Sequence, residues 1–403
     1  MNRERRIKLD HLGQFYSAVN SEENPGTFSV GVHLKEPVLL PEVLQEAVNG
    51  LVKRLPHLNV RRYSGFFDYY HEMLAEPLRI EREEEGVAPC RYFAKGGPLL
   101  RVLYGKGHFT LEVHHSVCDG RSLAMVASSL LIRYCELLAG EKGVDKEGFI
   151  DCAGAARGEE SEDAYARYAD MRKTKSDKDE RVYVPMHQPV KAQHITHTFE
   201  LPVIKAKAKA RGLTLTEYIM AHIFSAFKKQ RELEGVEKSI TCNVPIDCRT
   251  FFPSKSLRCF VSSKIIQMPE SAGFHEMAHG IKKQFAEITP GYIQGRISEM
   301  ERLIRLGRFV PLFIKKWIIQ RIGHSVSAGC STGFSNLGLI KLPKAVQDKV
   351  AMYSFVLGIE PDMPYQFACV ATGDILTLTA TITAKDTAMV ERIYSALAQA
   401  GDA

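Results

Sequence analysis

The stretch Phe109–Gly120, FTLEVHHSVCDG, decides the reading of this 403-residue chain. Phe109, Leu111 and Val113 alternate with Thr110, Glu112 and His114, the period of two that marks a strand with one buried face. The alternation stops at His115. From Arg121 to Leu138 the residues Leu123, Val126, Ala127, Leu130, Leu131, Tyr134 and Leu138 recur at spacings of three and four, which predicts a helix. His115 therefore stands where a strand ends and Asp119 where a helix begins. From such a junction a side chain protrudes while both elements hold its backbone.

An imidazole titrates near neutrality, so His115 is suited to accept a proton at physiological pH. Successive strand side chains point to opposite faces, so His114 turns away and only one of the pair is the working base. Asp119 reads as an N-cap for the helix, with Gly120 relieving crowding in the turn. It also reads as one half of an ion pair pinning the His115 loop to an arginine elsewhere, and Arg61 or Arg62 is the candidate partner. The bland alternative for the histidine is a hydrogen-bonded structural residue.

Outward from this stretch, the composition is that of a globular protein, 45% hydrophobic and 25% charged, with a net charge of +6 spread along the chain. No basic run is interleaved with aromatics, so a nucleic-acid partner is not expected. The N-terminus lacks the apolar core of a signal peptide, and no uncharged stretch is long enough to span a bilayer. The nine cysteines form no C-x-x-C pair, which argues against a structural metal site. Their odd number suggests reduced thiols and a cytoplasmic protein.

The rest of the pattern places helices on largely antiparallel sheets. Phe28–Leu34 alternates as a strand and Pro41–Leu55 carries a helical stripe. A hairpin follows, turning at Ser64–Gly65, and a second hairpin leads into His115. A charge-dense segment, 141–180, reads as a surface linker between a first lobe, 1–140, and a second, 181–403. In the second lobe, two helices break at Gly212, with Thr214 or Thr216 as the second cap, and strands follow at SITCNVPIDCR and FVSSKIIQM. Leu303–Ile322 sets Leu303, Leu306, Val310, Phe313 or Ile314, and Trp317 on one side, with Arg305, Arg308, Lys315 and Lys316 elsewhere. It reads as a helix packing its apolar side on the core; the alternative is a peripheral contact with an anionic membrane.

HHSVCDG resembles the HHxxxDG motif of the acyltransferases related to chloramphenicol acetyltransferase, among them peptide-synthetase condensation domains and alcohol acetyltransferases. RLPHLNVRRYSGFFDYYHE, NVPIDCRTFFPSKSLRCF and SNLGLIKLP extend the resemblance to bacterial alcohol-acetyltransferase-like proteins. The resemblance implies an α+β fold of two chloramphenicol-acetyltransferase-like lobes, each a mixed sheet with helices, forming a V around a central tunnel with the motif histidine at its middle. It implies a general-base role for His115, since the residue matching His114 is often not histidine in that group. One departure is Cys259, where relatives usually show asparagine.

The function this implies is acyl transfer, with acetyl the expected group, from acyl-CoA as co-substrate to an alcohol or amine, with no permanently bound cofactor or metal. A carrier-protein thioester as donor, or a non-catalytic scaffold, are the alternatives. By the resemblance, the loop carrying Ser335 and Asn336 faces the histidine from the other lobe, so both are oxyanion-donor candidates; an ordinary Ser-Asn-x-Gly turn is the competing reading. Asp247 and Arg249 are candidates for a local structural ion pair at the crossover. Cys118, three residues from His115, invites a nucleophile reading, but buried cysteines are usually inert packing.

Overall fold

The computed structural model describes residues 6–399 apart from 86, 88, 141–145, 173–190, 236–237 and 328–329. The chain opens with β1 (Arg6–Lys8), α1 (His11–Val19) and β2 (Thr27–Leu34). The Asp10 carboxylate starts α1 by accepting from the Gly13 amide at 2.8 Å. In α2 (Pro41–Arg54) the expected stripe buries Leu44, Ala47, Val48 and Leu51, with Pro41 in the first turn. The hairpin β3 (Val60–Ser64) and β4 (Tyr69–Met73) pairs through β4 with β1 in a small sheet. β5 (Ile80–Arg82), β6 (Leu100–Tyr104) and β7 (His108–His114) then lead into α3 (Gly120–Leu138).

After α4 (Ala164–Tyr168) come β8 (Gln193–Glu200), α5 (Leu201–Ala210) and α6 (Leu215–Glu234). The break falls at Gly212, whose φ of +65° a side chain would strain. Thr214 caps α6 and exchanges hydrogen bonds with Glu217. β9 (Ile240–Asp247), β10 (Val261–Met268), α7 (Phe274–Ala286), α8 (Pro290–Gly307) and α9 (Leu312–Ser327) follow. The chain ends in β11 (Thr332–Ile340), α10 (Lys344–Gln347), β12 (Val350–Leu357), β13 (Tyr365–Thr372), β14 (Ile375–Ile382) and α11 (Ala388–Gln399).

Two larger sheets organise these elements. One runs β12–β2–β7–β6–β5, with Phe28 opposite Val113 and Thr27 opposite His114. The other is mixed, β10–β9–β11–β13–β14–β8, with β11 parallel to both neighbours. Each has its own core. α2 and α3 cover the first sheet through Leu44, Leu51, Leu130 and Leu131 against Val30, Val102 and Leu111. α6 and α11 cover the second through Phe224 and Ile393 against Ile240, Phe367 and Leu378. Truncating one such leucine or phenylalanine to alanine costs about 2–5 kcal/mol. The edge strand β12 comes from the second half of the chain and pairs with β2, so the two halves are laced together by a strand. The fold is α+β, two mixed sheets with helices in two lobes.

Three local expectations change. β7 is covered on both faces rather than one: Glu112 is fully buried, accepting from the Cys90 amide at 2.8 Å with Arg101 at 3.6 Å. The described part of the charge-dense segment, 146–172, is tied down. Tyr165 is buried and donates to the Val261 carbonyl at 2.7 Å, and Glu160 makes a bidentate pair with buried Arg54. Finally, Leu303–Ile322 is not one core-packed helix. α8 ends before Pro311, which lacks the amide to continue it, and Leu303, Leu306, Phe313 and Trp317 are exposed. Periodicity put these residues on one side of a helix, but no element covers that side among the described residues.

Candidate active site

β7 ends at His114, and the next amide, that of His115, donates to the Gly26 carbonyl at 2.7 Å. Gly26 has φ +55°, and a Cβ there would stand 3.5 Å from the rings of both Tyr16 and His114, so glycine suits the loop that holds the junction. The Tyr16 ring stacks on His115 at 4.2 Å between centroids and 5° between planes, and Phe28 meets it at 4.8 Å. The Cys259 thiol donates to the His115 carbonyl at 2.9 Å, so its sulfur, 3.5 Å from Nδ1, faces the ring as an acceptor for the Nδ1–H. With Nδ1 committed, Nε2 carries the basic lone pair.

Burial lowers the His115 pKa below the ordinary histidine value, offset in part by the polar backbone at His115 and Cys118 and by the charges of Asp119 and Asp10. The ring is therefore neutral at neutral pH, the form a general base requires. His114 goes a different way. It is buried, its Nδ1 lies 2.7 Å from the Ser116 hydroxyl, and His71 reaches the same hydroxyl at 2.9 Å. Burial first, and Arg62 second, hold His114 well below the usual range. It is part of a hydrogen-bonded web under the loop.

Asp119 does cap α3, accepting from the Ser122 amide at 2.9 Å. Its ion-pair partner is neither Arg61 nor Arg62. Arg61 pairs with Glu72 at 2.7 Å across the hairpin, where β3 and β4 set them opposite each other. Arg62 reaches the Asn20 amide oxygen at 2.7 and 2.9 Å once that amide is oriented to suit its neighbours. The partner is Arg249, whose Nη1 donates to Asp119 at 2.8 Å and to Asp247 at 3.0 Å. Its other nitrogens reach the Ser122 hydroxyl and the carbonyls of Ser256 and Arg258. The Phe260 amide donates to Asp119 at 2.9 Å. Burial alone would raise the Asp119 pKa; Arg249 and the two amides outweigh it and hold the carboxyl below its ordinary value. The local pair at the crossover thus exists, and it extends across the lobes to the motif.

Gly120 belongs to the same contact. A Cβ there would come within 2.9 Å of Leu337 and 3.3 Å of Phe355, so its lack of a side chain lets the 335–338 loop lie on the start of α3. SNLG is an irregularity inside β11: pairing with β13 shifts register between Asn336 and Leu339, and Gly338 has φ +74°. Asn336 is occupied there, donating to Thr216 at 2.9 Å and accepting from the Gly338 amide at 2.7 Å. Ser335 is half-buried. Cys118 is fully buried, and burial with the nearby Asp119 charge pushes its thiol well up, away from the thiolate a nucleophile needs.

Tyr16, Gly26 and Phe28 are contributors that sequence reasoning missed, because they lie some ninety residues before the motif. Cys259 carried a faint signal as the departure from asparagine, and it touches the histidine directly. Among the described residues no group of three or more His, Cys, Asp and Glu is placed to hold a metal ion. The assembled parts amount to a clamped neutral imidazole, a buried ion pair fixing its loop, and a loop from the other half close by.

By sequence, no protein-family model matches the chain and neither does any curated protein. Solved structures do match over nearly its whole length. TRI3 trichothecene 15-O-acetyltransferase from Fusarium sporotrichioides aligns with TM-score 0.63 and 10% identity, covering 99% of this chain and 95% of that one. The starter condensation domain of rhizomide synthetase RzmA, solved with C8-CoA and Leu-SNAC, gives 0.63 and 11% over the same shares. Polyketide synthase associated protein 5 from Mycobacterium tuberculosis gives 0.61 and 13%, covering 97% of this chain and 96% of that one. The chain has the two-lobed chloramphenicol-acetyltransferase-like fold that these structures share.

Proposed function

We propose that the protein is an acyltransferase that moves an acyl group from coenzyme A to an alcohol or amine, with His115 as general base. The observation that carries this is the clamped ring, stacked on Tyr16 with Nδ1 facing the Cys259 sulfur and Nε2 left as the base. Nε2 takes the acceptor proton as the acceptor oxygen or nitrogen attacks the thioester carbonyl. The oxyanion of the tetrahedral intermediate is received by the Ser335 hydroxyl. Collapse breaks the C–S bond, and the departing thiolate takes the proton from the imidazolium. Asp119 and Arg249 act by holding the loop, and the two substrates meet in a tunnel between the lobes. HHSVCDG and the resemblance to bacterial alcohol-acetyltransferase-like proteins support this reading, as does the C8-CoA in the rhizomide synthetase domain.

The absence of disulfides among the nine cysteines favours a reducing, cytoplasmic setting. The test is incubation of the purified chain with acetyl-, octanoyl- and palmitoyl-CoA against a panel of alcohols and amines, with product mass and free thiol both followed. An acylated acceptor appearing with equimolar thiol supports the proposal. Transfer only from a pantetheinylated carrier protein would assign the donor to the condensation-type alternative, and no transfer from any thioester would assign the chain to the scaffold class.

A further inference from the structure

The junction of α8 and α9 exposes a group of large apolar side chains. Leu306, Phe309, Phe313 and Trp317, with Phe66 at the β3–β4 turn, are each between 60 and 75% exposed. Leaving such side chains in water forgoes the free energy that burying them would gain. They form one surface. The Leu312 amide donates to the Phe66 carbonyl at 2.9 Å, Lys315 bonds Asp68 at 2.6 Å, and Phe67 meets Phe309 edge-on at 6.4 Å. The inner side of α9 is already used, Leu312 and Ile319 packing on Leu9, Ala18 and Tyr69.

Charge narrows the choice of what covers this surface. From Arg302 to Arg321 the sequence holds six cations, Arg302, Arg305, Arg308, Lys315, Lys316 and Arg321, and no Asp or Glu. Glu301 faces Arg305 at 3.3 Å and Asp68 faces Lys315. Arg308 and Arg321 instead lie over the patch's own rings, 4.5 Å from Phe309 and 5.3 Å from Trp317, and both are exposed, as is Lys316. Aromatic and aliphatic side chains interleaved with arginine and lysine suit a boundary whose interior is hydrocarbon and whose rim is phosphate.

We propose that this surface docks the protein on an anionic lipid bilayer, lying in the headgroup region without crossing it. Leu306, Phe309, Phe313, Trp317 and Phe66 enter the acyl boundary, while Arg308, Lys316 and Arg321 meet lipid phosphates. Side chains that stand this far into solvent would each need a matching recess on a folded protein partner, whereas fluid acyl chains adapt to them. None of these residues belongs to the catalytic constellation, and the proposal does not depend on acyl transfer. α9 packs on α1, whose Tyr16 stacks on His115, so a docked protein would hold its catalytic histidine one helix away from the bilayer surface.

Trp317 is the chain's single tryptophan and so reports the docking directly. The full-length protein is titrated with vesicles of phosphatidylcholine alone and of phosphatidylcholine mixed with phosphatidylglycerol, following tryptophan emission and co-sedimentation. The expected result is a blue shift and sedimentation with the anionic vesicles, with apparent affinity for neutral ones at least about tenfold weaker, since each cation near an anionic surface contributes on the order of 1 kcal/mol. The exposed pairs Phe309→Ser with Phe313→Ser, and Arg308→Glu with Lys316→Glu, should each lower anionic binding at least about tenfold at unchanged circular dichroism. Equal affinity for both vesicle types, or no binding to either, would overturn the proposal. So would a lipid-independent blue shift that grows with protein concentration, the mark of a second copy on the patch, or sequestration of the patch by an acidic protein that leaves vesicles unbound.

Discussion

Arg249 donates to Asp119 at 2.8 Å across a sequence separation of 130 residues, and both side chains are buried. One comes from the turn after β9 and the other from the start of α3, so this bond fastens the histidine loop to the second half of the chain. A buried pair contributes little net stability as a pair, yet breaking it leaves an uncompensated charge. Arg249→Met should therefore destabilise the protein by about 3–5 kcal/mol, and Asp119→Asn added to it should recover part of that loss. Urea denaturation of the four proteins in the cycle checks this. Additive losses would mean the two residues act independently.

The same pair sets an acid limb of stability. The Asp119 carboxyl is held below its ordinary value when folded, so its contribution is complete above about pH 4, where the unfolded carboxyl has ionised. It is lost as pH falls through the depressed folded value. Stability of Asp119→Asn measured from neutral pH into this acid window should fall less steeply than that of the wild type. Parallel curves would show that the carboxyl gains nothing from Arg249.

His115 should give the rate an acid limb lying below the ordinary histidine range, because burial lowers its pKa. The rate should rise with pH through that lowered value and then level off. A midpoint above the ordinary histidine value would mean that the ring is stabilised as the cation and that its surroundings have been misjudged. Tyr16→Phe keeps the stacked ring and should preserve kcat, whereas Tyr16→Ala should lower it, a stacked pair being worth about 0.5–1.5 kcal/mol. Equal kcat for both variants would remove Tyr16 from the positioning of His115.

Much of this arrangement was legible in local pattern. The strand–histidine–cap–helix order of Phe109–Leu138 follows from period two giving way to spacings of three and four, and the pattern narrows the cap of α6 to Thr214 or Thr216, of which Thr214 takes it through its exchange with Glu217. Contacts made by the fold were not legible. Tyr16 and Cys259 reach His115 from distant positions on either side of it in the chain, and no periodicity tells a reader that Arg249 rather than Arg61 or Arg62 will meet Asp119. β12 reads as a strand, but its placement beside β2 is a matter of topology. The stripe Leu303–Trp317 reads as one helix face, but Pro311 divides it between α8 and α9, and its exposure depends on what else packs nearby.

Two cysteines separate direct transfer from a covalent route. Cys118 is buried as a thiol, so Cys118→Ala should retain most activity, with a packing cost of about 1 kcal/mol for the lost sulfur. Cys259→Ala removes the contact on the His115 carbonyl and should lower kcat while leaving KM for acyl-CoA unchanged. Incubation with acyl-CoA alone should leave the intact protein mass unchanged. A mass gain of one acyl group on either cysteine, discharged on adding acceptor, would establish an acyl-enzyme instead.

The most direct test compares His115→Ala with His114→Ala for thiol release from acyl-CoA in the presence of an accepted alcohol or amine, with thermal melts confirming that both remain folded. His115→Ala should lower kcat by about 10²–10⁴-fold, the usual worth of a positioned general base, and His114→Ala by far less. Retention of activity in His115→Ala, or equal losses in the two folded variants, would contradict the assignment of His115 as the base.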